Sequence, residues 1–80
     1  MKYEKEIREI IQKMLEAGAD QFYIDARNGS LSWRDGEKLK LSAEAMSEIC
    51  SEMVNAGLAQ KNKVSNAADY YELTPMAEDF

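Results

Sequence analysis

Apolar residues recur at helical spacing over residues 3 to 17. Tyr3, Ile7, Ile10, Ile11, Met14 and Leu15 share one face, while Glu4, Arg8, Glu9 and Lys13 share the other. The pattern predicts an amphipathic helix, with Glu4/Arg8 and Glu9/Lys13 as favourable i, i+4 pairs and Gly18 as the residue that ends it. From residue 21 the period changes to two. Phe22, Ile24 and Ala26 alternate with Tyr23 and Asp25, and Leu31 and Trp33 alternate with Ser30, Ser32 and Arg34. Asn28-Gly29 between the runs is a strong hairpin signal. A two-residue turn centred on it pairs Ala26 with Leu31 and Ile24 with Trp33, so residues 21 to 34 read as a β-hairpin. Asp35-Gly36 marks a second turn, and Leu39 and Leu41 suggest a short third strand.

A second helix starts at Ser42, a residue type suited to the N-cap, with Leu41 and Met46 spaced for a hydrophobic staple. Met46, Ile49, Cys50, Met53 and Val54 form its buried stripe, and Gly57 ends it. A last hairpin follows: Leu58 to Val64, a polar loop Ser65 to Asp69, then Tyr70 to Leu73. Thr74-Pro75 has the form of an N-cap with proline in the first helical position. The elements predict one α+β domain over residues 1–80, in the order α-β-β-α-β-β with a short C-terminal helical turn. Its expected core is Ile7, Ile10, Ile11, Met14, Ile24, Trp33, Met46, Ile49, Met53, Leu58 and Leu73.

Composition narrows the chemistry. There is no histidine, which removes the usual general base near neutral pH and every Ser-His or Cys-His arrangement. The single cysteine forms no internal disulfide, and no cysteine pair has metal spacing. We therefore expect a non-enzyme with no catalytic residues, no metal and no cofactor. No run is long or apolar enough to span a bilayer and no apolar leader precedes the first helix, so the expected setting is the cytoplasm, away from membranes. The net charge of −5 argues against general nucleic-acid affinity, which depends on Lys and Arg neutralising phosphates.

The second helix carries Glu44, Glu48 and Glu52 four residues apart, and Ser42 to Asn55 contains no basic residue. Like charges at this spacing are mildly unfavourable in a helix. The row reads either as a solvated face or as an acidic ridge that meets a basic partner. Arg27, Arg34, Lys38 and Lys40 gather around the first hairpin, whereas the excess negative charge lies on the second helix and the C-terminus. If the ridge is only a solvated face, the hairpin surface around Tyr23, Arg27 and Arg34 is the next candidate.

From Met46 onward the chain resembles the C-terminal half of a winged helix-turn-helix domain. The resemblance rests on a recognition-type helix ending at Gly57-Leu58, two wing strands, and Tyr71-Glu72-Leu73-Thr74-Pro75 opening another helix. It implies a recognition helix from Ala43 to Asn55 and a wing tip that includes Lys61, Asn62 and Lys63. The chain departs from the family where the Asn28-Gly29 hairpin replaces the helix before the recognition helix. It departs again where three glutamates stand on the presumed DNA face. The resulting expectation is a small protein-binding module, a monomer or weak homodimer that acts as an inhibitor or adaptor on a partner with a basic surface. Nucleic acid is not the expected ligand on this reading. Size and charge associate it with phage or mobile-element anti-defence proteins, anti-CRISPR proteins among them. The alternative is a winged-helix DNA-binding regulator.

Overall fold

The computed structural model describes residues 1–25, 29–33, 38–39, 41–64 and 67–80. The chain runs α1 (Glu4–Glu16), β1 (Gln21–Asp25), β2 (Leu31–Trp33), β3 (Lys38–Leu39), α2 (Ala43–Asn55), β4 (Ala59–Val64), β5 (Ala68–Leu73) and a 3-10 turn, Pro75–Asp79. The strands form one antiparallel sheet in the order β3-β2-β1-β5-β4. The fold is α+β, as the periodicity predicts. No helix among the described residues is long and apolar enough to cross a membrane.

Both helices lay their apolar stripes on one face of the sheet. Ile7, Ile10, Ile11 and Met14 of α1 and Met46, Ile49, Cys50 and Met53 of α2 are buried against Phe22, Leu31, Trp33, Leu58, Ala59 and Tyr71. Phe22 and Tyr71 pair across β1 and β5 with ring centroids 5.1 Å apart and nearly parallel. Of the expected core, Ile24 and Leu73 are only partly buried. Two apolar residues leave the predicted stripes. Leu15 is 43% exposed because it lies one position past Met14, turned off the sheet, and Val54 is 40% exposed on the flank of α2 that looks toward β4. The α1 ion pairs form as expected, Arg8 to Glu4 and Lys13 to Glu9, each at 3.6 Å.

The first hairpin is displaced by two residues from the expected register. Ile24 pairs with Leu31 and Phe22 with Trp33, where an Asn28-Gly29 turn would have paired Ile24 with Trp33. Ala26, Arg27, Asn28 and Arg34 lie outside the described residues, as does Asp35-Gly36. The Asp25 N–H donates to the Ser30 carbonyl at 3.0 Å, and the Gly29 N–H donates to the Asp25 carbonyl at 2.8 Å, closing a longer loop. A shift of two leaves every side chain on its face, so the alternation alone cannot detect it. Packing selects the wider loop. Gly29, at φ +70°, comes so close to the start of α2 that a Cβ would lie 2.9 Å from the Ala43 Cα.

Two further expectations change at the edges. The third strand is Lys38–Leu39; Leu41 is outside it and, being exposed, lines a cavity beside Ile10, Trp33 and Leu39. Lys61, Asn62 and Lys63 belong to β4 and not to a wing tip. Lys61 pairs with Tyr71 and Lys63 with Tyr70, which makes Asn62 the extra residue of a β-bulge. The bulge sends the two lysines to opposite faces of the sheet, over the rings of Tyr71 and Tyr70 respectively.

The C-terminus closes the fold. The Thr74 side chain does not cap the 3-10 turn. Its hydroxyl donates to the Gly57 carbonyl, while its N–H donates to the Leu58 carbonyl at 2.9 Å. The end of α2 and the last turn are thereby joined. Arg8 donates to the Phe80 carbonyl and lies over the Phe80 ring.

Candidate functional site

α2 begins where the sequence directs. Ser42 is extended, and its side-chain oxygen accepts the Ala45 N–H at 3.1 Å. At the other end the Gly57 N–H reaches the Val54 carbonyl and the Leu58 N–H reaches the Met53 carbonyl. With Gly57 at φ +77°, this is a Schellman stop. With Met46, Ile49, Cys50 and Met53 on the sheet, the acidic row is turned away from the core. Glu44 and Glu48 are exposed and Glu52 is half-buried. Glu44 stands in the first turn, where the helix dipole favours a negative charge.

The start of α1 meets the rest of this row. The Lys2 ammonium lies 3.2 Å from Glu48 Oε2. Lys2 Nζ is 5.4 Å from the centre of the Tyr3 ring. The hydrogen bond from Lys2, with the nearby Tyr3 phenol second, holds the Glu48 carboxyl below its ordinary value, and the Glu48 contact raises the Lys2 ammonium. Partial burial first, and the Glu48 carboxylate second, push the Tyr3 phenol up. Glu52 takes a different partner: its Oε1 accepts the backbone N–H of Tyr3 at 3.0 Å. The row is therefore not bare. Two of its three carboxylates receive a cation or an N–H from the residues that lead into α1, which offsets the repulsion between neighbouring glutamates.

Tyr23 is not brought to this face. It alternates with Phe22 and Ile24, so it stands on the side of the sheet away from the helices, half-buried with its ring centroid 5.6 Å from that of Tyr70. Arg27 and Arg34 lie outside the described residues. The candidate residues thus separate into the α2 row and a Tyr23–Tyr70 pair on opposite sides of the domain.

A second feature escapes the sequence pattern altogether. Between α2 and the β4–β5 hairpin runs a groove of about 450 Å³, flanked by Ser47, Cys50 and Ser51 on the helix and by Lys61, Asp69 and Tyr71 on the sheet. Lys61 pairs with Asp69 at 3.8 Å. Burial pushes the Cys50 thiol up to about 11 and the Tyr71 hydroxyl up to about 12. A thiol held in that state is a poor nucleophile at neutral pH. The residue that marks the groove is Val54, which the periodicity places in the buried stripe of α2 and which instead lines the same flank.

Comparison with protein-family models, with curated proteins and with solved structures finds no match to this chain.

Proposed function

We propose that the domain is a non-enzymatic acidic module that docks through the outward face of α2 on a basic protein surface, as an inhibitor or an adaptor. The observation that carries this reading is the exposed Glu44–Glu48 edge of a helix that has no basic residue from Ser42 to Asn55. Carboxylates displayed on a rigid helix favour rapid association with a positive surface and disfavour phosphate. Glu48 in addition already holds an ammonium group.

The test is affinity capture from native host extract with the unaltered protein and with a Glu44→Lys/Glu48→Lys double variant, followed by mass spectrometry. Glu52 is left in place because it holds the start of α1. A partner with a basic surface that is captured by the unaltered protein and lost with the double variant supports the reading. The same proteins captured equally by both would end it. The second reading, a winged-helix DNA-binding regulator, draws on the β4–β5 hairpin that directly follows α2.

A further inference from the structure

We infer that Glu48 and the Tyr3 ring form a subsite for a single ammonium or guanidinium group, that Lys2 fills it in the free protein, and that a lysine or arginine of the protein partner takes the place of Lys2 on docking. The inference rests on the docking role proposed for α2 and names the position where the partner's cation sits.

The subsite has two walls and a loosely held occupant. Its walls are the Glu48 carboxylate and the Tyr3 ring, which flank the Lys2 ammonium. Tyr3 is held from behind, because its backbone N–H is bound by Glu52 at 3.0 Å. Lys2 is the occupant, with its ammonium 3.2 Å from the carboxylate and 5.4 Å from the ring centre. Both sides of the ion pair remain open to solvent, at 68% side-chain exposure for Lys2 and 48% for Glu48. An exposed pair of this kind contributes little to stability, so an incoming cation displaces Lys2 at small cost. A carboxylate beside an aromatic face suits a cation, and the neighbouring glutamates exclude an anion.

Binding of dye-labelled oligolysine, followed by fluorescence anisotropy at physiological salt, tests the inference on the full chain. Lys2→Ala removes the internal competitor and should tighten binding about twofold to fivefold, the range expected for releasing one exposed ion pair. Lys13→Ala removes the same charge from a pair with Glu9 on α1 and should leave affinity unchanged. Glu48→Gln should weaken binding by at least about fivefold, as loss of a charge-assisted contact requires. Circular dichroism confirms that each variant folds. Equal tightening by Lys2→Ala and Lys13→Ala would reduce the effect to net charge and overturn the subsite, as would an unchanged Lys2→Ala or an unaffected Glu48→Gln. If the unaltered protein binds oligolysine and Glu44→Lys/Glu48→Lys abolishes it while Lys2→Ala is silent, the subsite falls and the docking face stands. If neither the unaltered protein nor Lys2→Ala binds, both fall together.

Discussion

The carboxylate of Glu52, at the end of α2, accepts the backbone N–H of Tyr3 at the start of α1. Tyr3 is the N-cap of α1 and offers no side-chain cap of its own. In a capping box the carboxylate that binds the N-cap N–H comes from the same helix, three residues on. In this domain it comes from the other helix. One contact therefore satisfies one of the open N–H groups at the start of α1 and ties the two helices together.

Glu52→Ala should accordingly destabilise the domain by about 0.5 to 2 kcal/mol, the range for losing a helix cap. Glu44→Ala, on the exposed first turn of the same helix, should stay within about 0.5 kcal/mol. Urea denaturation of the two variants measures the difference. Equal, small effects would show that the Tyr3 contact adds nothing to stability.

The core prediction follows from burial. Ile49 is fully buried and Ile11 nearly so, and replacing either with Ala should cost about 2 to 5 kcal/mol. That approaches the total stability of a marginal small domain. Val54→Ala and Leu15→Ala, both at exposed positions, should each stay within about 0.5 kcal/mol. Thermal melts of the four variants should separate into two groups; a large loss with Val54→Ala would place that side chain in the core after all.

The contrast between Ile49 and Val54 shows how far periodicity reaches. A stripe at helical spacing identifies which residues of α2 can face the sheet, but the width of the contact is set by the sheet. The β4–β5 side leaves a groove that exposes Val54. Element types, their order and both glycine stops were legible because they depend on residues close in sequence. The hairpin register was not, since a two-residue slip conserves the alternation and only the packing of Gly29 on Ala43 distinguishes the alternatives. The bulge at Asn62 has no local signature either, and without it Lys61 and Lys63 read as neighbours on one surface. The acidic row itself was legible as residues. Its Lys2 and Tyr3 partners were not, because they come from the far end of the chain.

Gly29 yields a sharp test of that packing. At φ +70° any side chain is strained, a penalty of roughly 1 to 2 kcal/mol for an L-residue. At Gly29 the added Cβ would also meet backbone, the Ala43 Cα at 2.9 Å. At Gly57, where φ is +77°, it would meet only the flexible end of Met76, at 3.2 Å. Gly29→Ala should therefore lower the melting temperature more than Gly57→Ala. The reverse order would mean that the hairpin end is not held against α2.

Alkaline pH should weaken the fold through Cys50. Burial raises its thiol from 9.0 to about 11 in the folded protein. A group with a raised folded value holds its proton more tightly when folded. Its contribution to stability is complete below pH 9 and is lost as the pH climbs toward about 11. Tyr71, raised from 10.0 to about 12 for the same first reason, extends the loss upward. Denaturant midpoints should fall across this window, and Cys50→Ala should flatten the lower part of the fall. The folded protein should also react slowly with Ellman's reagent at pH 8 and rapidly once unfolded. Fast labelling of the folded protein would contradict a buried, protonated thiol.

Duplex DNA separates the two functional readings. Binding to DNA draws on cations free to displace counterions, and affinity falls steeply with salt in proportion to the phosphates contacted. On this domain Lys2, Arg8, Lys13 and Lys61 each have a carboxylate beside them, which lowers the net positive potential they present to phosphate without removing their charge. The helix that would enter the groove presents Glu44 and Glu48 to the backbone. Fluorescence anisotropy with a random duplex at physiological salt should show no binding at micromolar protein, and the Glu44→Lys/Glu48→Lys variant should bind more strongly than the unaltered chain. Sub-micromolar, salt-sensitive binding by the unaltered protein would instead favour the regulator. In that case the phosphates would be met by a surface other than the acidic face of α2.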